Sequence, residues 1–519
     1  MKQGFWRLAQ ADPDWVAAID PDGTEHRAGE LLARANRLVH GLRALGLEPG
    51  DGFCGLVPNG ADGLVLYLAA LQAGWYYTPV NWHLTGPEIA YIVADSEAKA
   101  FFVHPRFRRE GARGAEAVEP HRRFLLGDDK GDDKGDGFRM AYELTAGRPD
   151  TAPEGRTAGA TMHYTSGTTG KPKGVRRPLN GLDPDDNAEL MTFLLQMFGI
   201  TPGRPNAHLV TSPSYHTAVT QFGGTALHMG HTLVYMDKWD AEEMLRLCER
   251  HRITNSHMVP THFKRLLALP ERTRTAYDLS SVRWMIHAAA PCPVPVKRAM
   301  LDWWGDCVYE YYAATEGGGT IATPEDWKAH LGTVGKAWPI SELLIVDDAG
   351  EPVPPGASGT IYMKMTGAGF EYKGDPGKTA ANRLKDFFTV GDIGYLDEDG
   401  FLYLRDRKAD MIISGGANIY PAEIENELMV HPKVADVAVF GIPDEEWGEQ
   451  IKAVVEPAPG AEPGPELAAE LLASLEGRLA RMKWPKSIDF IAEMPREPNG
   501  KLLKRKLRDP YWEGRDRVI

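Results

Sequence analysis

After the lead TMHY, three glycines, four small hydroxyl residues and two lysines crowd into residues 161–177, TMHYTSGTTGKPKGVRR. Gly167, Gly170 and Gly174 let the backbone bend so that successive N–H groups point into one concavity, as loops that hold phosphate do. Thr165, Ser166, Thr168 and Thr169 add hydroxyl donors, and Lys171 and Lys173 add mobile positive charge. The order is not that of a Walker A loop, because Pro172 follows the lysine where Ser or Thr belongs. In VYEYYAATEGGGT, residues 308–320, an apolar and aromatic run leads into Thr315 and Glu316. A hydroxyl beside a carboxylate at a strand end suits a phosphate contact and a Mg²⁺ ligand. Tyr311 and Tyr312 just before them offer ring faces to a purine. Asp392, in TVGDIGYLDEDG, is a carboxylate able to accept from two vicinal hydroxyls, although a lone Gly-Asp there also reads as a turn. Lys501 follows an Asn-Gly turn in the basic run PREPNGKLLKRKLRD, which composition alone makes a solvated face.

In this order the blocks resemble those of the adenylate-forming superfamily: acyl-CoA synthetases, non-ribosomal peptide adenylation domains and beetle luciferases. YTSGTTGKPKGV resembles its phosphate loop, and Tyr312–Glu316 its Y-G-x-T-E block, with Ala313 in place of the glycine and slightly crowding the nucleotide. Asp392 matches the aspartate that holds the ribose hydroxyls, and Arg407 the arginine that contacts ribose or phosphate. PxxxNGKxxKRxL resembles the last motif, and its lysine is Lys501. Two residues beyond Arg407 the family carries a hinge Lys or Asp; here stands Ala409, which leaves the hinge to Lys408 or Asp410. Gly415 and Gly416, in SGGAN, stand where the backbone approaches the pantetheine of coenzyme A. Candidates for the acyl pocket are Tyr215 and His216 at a strand end, His257 one unit later, and the small residues Ala288, Ala289 and Ala290.

The resemblance implies a two-step reaction. A carboxylate attacks the α-phosphate of ATP, releasing pyrophosphate, and a thiol then displaces AMP from the acyl-adenylate. Thr165–Thr169 and Lys173 would hold the outer phosphates, Thr315 the α-phosphate, Glu316 the Mg²⁺, and Lys501 both the carboxylate and the α-phosphate. A charge about 4 Å away is worth roughly 4 kcal/mol at an effective dielectric near 20. The thiol belongs to coenzyme A on the first reading and to a separate carrier protein on the second. A nucleotide-binding protein without catalysis is the alternative from another class. Pocket candidates that include small and polar residues but no cation suggest a medium- to long-chain or bulky alicyclic acid, steroid- or terpenoid-like, rather than acetate or an amino acid.

These residues need a scaffold of strands whose ends converge. Residues 27–47 space apolar residues at three and four, as an amphipathic helix does, and FCGLVP then reads as a buried strand. Helix–strand alternation continues through residue 104 and again from 187, which argues for layered parallel α/β structure. From 341 to 405 short strands and turns read as a small antiparallel unit. A helix to about 430, strands at VADVAVFGI and IKAVVEP, a helix near 466–481 and a strand at SIDFIAEMP complete an α+β end. The expected organisation is a large N-terminal α/β body with a small β unit over 1–405, and a small mobile α+β domain over 406–519 carrying Lys501. GDDKGDDKGDG, at 127–137, reads as an exposed loop.

At 519 residues the chain exceeds one ordinary domain, and 43% hydrophobic with 25% charged residues is a soluble globular composition. A net charge of −14 disfavours nucleic acid as a partner. Four scattered cysteines without a C-x-x-C pair, and no apolar leader, suggest a reducing cytoplasmic setting. No run of about eighteen apolar residues spans a membrane. The C-terminal DRVI is no prenylation or peroxisomal signal, and the lack of a following carrier module disfavours a peptide synthetase unit. A homodimer is left open.

Overall fold

Strands that alternate with helices are buried on both faces and therefore carry almost unbroken apolar runs. Gly52–Leu56, Tyr76–Pro79, Phe101–Val103 and Arg123–Leu125 follow this rule, forming a parallel six-stranded sheet with the short strands Arg139–Met140 and Ala160–Thr161. The amphipathic helix expected over 27–47 runs over Ala28–Ala44. Helix Ala61–Ala73 is buried almost throughout and stops at Gly74, whose φ of 73° lets the chain turn back. This computed structural model describes residues 2–127, 137–165, 172–366, 369–497 and 501–513. Ser166, Gly167, Thr168 and Thr169, and residues 128–136 of the acidic loop, therefore lie outside the described residues.

A nine-stranded sheet forms the second layer. Its parallel core is Val16–Ile19, Thr232–Tyr235, Ala207–Val210, Asn255–Met258, Trp284–His287 and Val308–Ala314, in that spatial order. Antiparallel strands Gly317–Ala322 and Lys336–Ala337 extend the edge beyond Val308–Ala314. Helix Thr217–His228 sits between the two sheets. On one side Gly224 meets Tyr67 of the first layer so closely that a Cβ would lie 2.4 Å from its hydroxyl. On the other side Phe222 packs against Tyr311, with ring centroids 5.4 Å apart.

Between 341 and 407 the chain makes the expected antiparallel unit, a six-stranded sheet centred on Gly359–Met365. The last sheet is built wholly from residues 412–490 around its own core, which includes Ile412, Leu428, Val439 and Leu471. Pro421 opens its first helix, Pro421–Met429, at a position that needs no N–H donor. The helix expected near 466–481 is Pro465–Ala473 only; the chain then turns, with Gly477 at φ 74°. Lys264 of the body helix Pro260–Leu267 donates to the Ala435 carbonyl, tying the last unit to the body. Among the described residues, no helix is long and apolar enough to cross a membrane.

Candidate active site

Thr315 and Glu316 occupy the tight connection between strands Val308–Ala314 and Gly317–Ala322. The three glycines after Glu316 are needed there. Gly317 and Gly318 have φ of 128° and 71°, and a Cβ on Gly319 would lie 2.5 Å from the Tyr312 carbonyl oxygen. Gly319 faces Ala313 across the ladder, so the methyl group that replaces the family's glycine is met by a glycine opposite. The Thr315 hydroxyl lies 3.3 Å from that of Thr217 at the start of helix Thr217–His228. Arg177 donates to the Thr315 carbonyl oxygen. Burial lowers the Arg177 guanidinium, and the nearby Glu316 carboxylate opposes that shift. Glu316 is buried, and its Oε1 accepts from the Tyr372 hydroxyl at 2.6 Å.

The phosphate-loop motif is a hairpin: His163–Thr165 pairs antiparallel with Lys173–Arg176, which pairs with Glu371–Tyr372. Pairing with Glu371–Tyr372 is what brings the hairpin and the Glu316 partner together. Thr165 is a strand residue at the mouth of this hairpin. Lys173 lies 3.3 Å from Asp375.

Tyr311 and Tyr312 project to opposite faces of their strand, as neighbours in a strand must. The expectation that both rings face one purine is therefore corrected. Tyr312 donates to Asp392 Oδ2 at 2.6 Å, whereas the Tyr311 hydroxyl lies 2.9 Å from His257 Nε2, in the core. Asp392 and Arg407 are direct cross-strand partners with Nε 3.5 Å from Oδ1. Burial raises the Asp392 carboxyl, opposed first by Arg407 and then by the Tyr312 bond.

Lys501 comes back from the far end of the chain to this cluster. Burial pulls its ammonium below the usual lysine range, and Arg407 acts in the same direction; Glu497, Asp392 and Asp410 oppose. Its charge also helps to depress His216, which burial chiefly, and then His163, push down to about 3. One lysine thus lies within electrostatic reach of both the Asp392–Arg407 pair and the Tyr215–His216 strand end.

Tyr215 is buried edge-on against Trp82, with centroids 4.7 Å apart, and its carbonyl oxygen lies 3.1 Å from His163 Nδ1. His257, Phe222 and Tyr311 form one buried cluster with Phe198. Ala288 is buried beside it, while Ala289 is exposed at φ 72°, a left-handed conformation that costs a residue with a Cβ roughly 1–2 kcal/mol. Gly415 and Gly416 turn a hairpin in the last unit at φ 58° and 79°, and the exposed Trp447 indole packs on Gly415. Ala409 and Asp410 lie in the short turn Lys408–Asp410, where Arg508 reaches Asp410 at 3.2 Å.

Sequence reading missed Arg177, Thr217, Phe222 and Tyr372. Arg177 closes the phosphate-loop motif, and Thr217 follows His216, so proximity in sequence was an available signal for those two. Phe222 and Tyr372 reach the site through tertiary packing, and nothing local marks them.

The hairpin beside Glu316, the Asp392–Arg407 pair and the returning Lys501 come together at the ends of a doubly layered α/β body. The chain belongs to the AMP-binding enzyme family: the AMP-binding enzyme model matches residues 5–372, and the AMP-binding enzyme C-terminal domain model matches 423–501. It is an acid–thiol ligase of the AMP-forming acyl-CoA synthetase family, which couples ATP-dependent acid adenylation to ligation onto coenzyme A or a carrier protein. The chain is 34% identical to a feruloyl-CoA synthase of Amycolatopsis sp, covering 97% of this chain and 98% of that one. It is 31% identical to the fatty acid–[acyl-carrier-protein] ligase ScoC of Streptomyces coeruleorubidus, covering 97% and 95%. The crystal structure of ATP-bound MatB from Rhodopseudomonas palustris is 31% identical, covers 98% of this chain and 99% of its own, and superposes with a TM-score of 0.81.

Proposed function

We propose that the protein converts a carboxylic acid with a largely apolar body into its coenzyme A thioester through an acyl-adenylate, releasing pyrophosphate and AMP. The observation that carries this reading is that the Lys501 ammonium lies within electrostatic reach of Asp392 and Arg407 and also of His216. In the first step Lys501 neutralises charge between the acid's carboxylate and the α-phosphate, where charge builds up in the transition state. Thr315 orients the α-phosphate, Asp392 holds the ribose hydroxyls with Arg407 beside it, and Tyr312 lies along the adenine. Thr165–Thr169 and Lys173 hold the outer phosphates.

The donor set suits magnesium. Glu316 has one oxygen engaged by Tyr372 and further lone pairs to give. Among the described residues no group of three or more His, Cys, Asp or Glu could hold a metal ion. Mg²⁺ takes one or two carboxylates and fills its shell with phosphate and water, so a single carboxylate fits it. Bound there, it would neutralise charge on the triphosphate.

For the second step we assign residues 406–519 as a unit that turns about Lys408–Asp410, withdrawing Lys501 and presenting the Gly415–Gly416 turn to the pantetheine. A Cβ on Gly416 would meet nothing within 4 Å, so that face of the turn is open to an approaching chain. Likeness to an acyl-carrier-protein ligase supports the second reading, a carrier protein as acceptor.

Lys501→Ala separates the half-reactions. Acid- and ATP-dependent pyrophosphate release should fall about a hundred-fold or more, while conversion of a supplied acyl-adenylate to thioester stays near wild type. Equal loss of both half-reactions would contradict the assignment.

A further inference from the structure

We infer, on the acid-activating reading above, that Lys264 of the body helix Pro260–Leu267 is a positioning residue for Lys501. It grips the last unit in the orientation that brings Lys501 to the nucleotide, and it lets go when that unit turns.

Lys264 is half-buried, and its ammonium donates to the Ala435 carbonyl oxygen and abuts Met429 Sδ. Met429 ends helix Pro421–Met429, and Ala435 lies at the start of strand Val434–Asp444. Burial lowers the ammonium from the usual lysine range; the Asp436 carboxylate opposes that shift, Arg496 adds to it and Glu456 opposes it. Ala435, Met429, Asp436, Arg496 and Glu456 all belong to the last unit. A cation rooted in the body thus takes its acceptor and its charged neighbours from the part that moves.

Those same residues fasten the segment that carries Lys501. Arg496 donates to both oxygens of Asp436, from Nε at 2.5 Å and from Nη2 at 2.7 Å. It also stands on the first of two antiparallel legs. Leu503 N–H donates to the Pro495 carbonyl oxygen at 2.8 Å, Arg496 bridges to Leu502, and Glu497 N–H donates to the Lys501 carbonyl oxygen at 2.8 Å. On the second leg's side, Lys504 lies 2.8 Å from Glu425, in the helix that Met429 ends. Both legs are therefore pinned by ion pairs to the helix and the strand that Lys264 touches. A guanidinium forked onto a carboxylate fixes orientation as well as distance. Helix, strand and legs move as one piece, so a hold on Ala435 and Met429 is a hold on Lys501.

Turning the unit about Lys408–Asp410 carries Ala435 and Asp436 away from Lys264. A contact made in one of two orientations shifts their populations by its own differential free energy. A hydrogen bond from a charged donor is strong enough to move such an equilibrium about tenfold.

The test measures two half-reactions separately, using whichever of octanoate, palmitate, benzoate and cholate is activated fastest. One is acid- and ATP-dependent pyrophosphate release; the other is thioester formation from the supplied acyl-adenylate and coenzyme A. Lys264→Met keeps the stem and removes the charge and the donors. Pyrophosphate release should fall about tenfold, while thioester formation stays within about twofold of wild type or rises. Lys264→Arg keeps a cation and should hold both within about threefold. Lys264→Glu sets an anion beside Asp436 and Glu456 and should lose more release than Lys264→Met. Unchanged release in Lys264→Met, or equal loss of both half-reactions, would overturn the inference. Lys501→Ala, run alongside, tells this failure from that of the reading beneath it. If Lys501→Ala loses release and Lys264→Met does not, only the grip of Lys264 is refuted. If Lys501→Ala also releases pyrophosphate at the wild-type rate, or no acid is activated at all, the acid-activating reading falls and the inference with it.

Discussion

At the nucleotide end each polar side chain is held by another: Asp392 by Tyr312 and Arg407, Glu316 by Tyr372, Thr315 by Thr217. Deeper in the body the buried rings of Phe198, Phe222 and Tyr311 pack on one another beside His257, whose Nδ1 has no hydrogen-bond partner. The first arrangement fixes charges and dipoles in advance of a ligand that is itself charged, so little is left to reorganise when charge moves. The second is ring packed on ring around one buried polar contact, His257 with Tyr311.

If that contrast is right, charge removal should be costly at the nucleotide end. Glu316→Gln keeps an acceptor for Tyr372 but loses the anion, and pyrophosphate release should fall about a hundred-fold at limiting magnesium. A loss under twofold at every magnesium concentration would remove Glu316 from the metal role. Asp392→Asn leaves one carbonyl oxygen, already used by Tyr312, for the ribose. The KM for ATP should rise about tenfold with kcat changed less, as steady-state kinetics would show. Tyr372→Phe removes one bond to Glu316 and should weaken magnesium-dependent turnover by about fivefold, read from a magnesium titration.

The ring cluster gives the smallest expected effect. His257, driven to about 3, is neutral in the folded protein but titrates near 6.5 when unfolded. A lowered folded pKa means its contribution to stability is complete above about 6.5 and is lost as the pH falls toward about 3. His257→Leu should therefore flatten the dependence of folding stability on pH by up to about 1.4 kcal/mol per unit between about pH 4 and 6, measured by urea unfolding. An unchanged slope would mean that His257 is charged in the folded state.

The same contrast explains what was legible in the sequence. Thr315, Glu316 and the three glycines are contiguous because a tight strand connection needs them side by side, and the geometry there shows why. Helix Ala28–Ala44, the antiparallel unit and the strands of the last domain were readable from periodicity and turn residues. The ring cluster was not. Phe198, Phe222, His257 and Tyr311 come from four separate stretches of the chain, and only the parallel register of Asn255–Met258, Trp284–His287 and Val308–Ala314 brings the last two together. Tyr311 shows the limit most clearly. Its neighbour Tyr312 carries the nucleotide motif, but a strand sends adjacent side chains to opposite faces. The expected helix near 466–481 overran because apolar spacing continued past Ala473 into residues that turn instead.

The most direct test is acyl-coenzyme A formation from ATP, coenzyme A and a panel of short, long-chain, aromatic and polycyclic acids, with AMP and pyrophosphate followed in the same samples. The account predicts equal amounts of AMP, pyrophosphate and thioester, with no thioester when ATP is withheld. Pyrophosphate release without thioester, at any coenzyme A concentration, would contradict the assignment of coenzyme A as acceptor and transfer that role to a carrier protein.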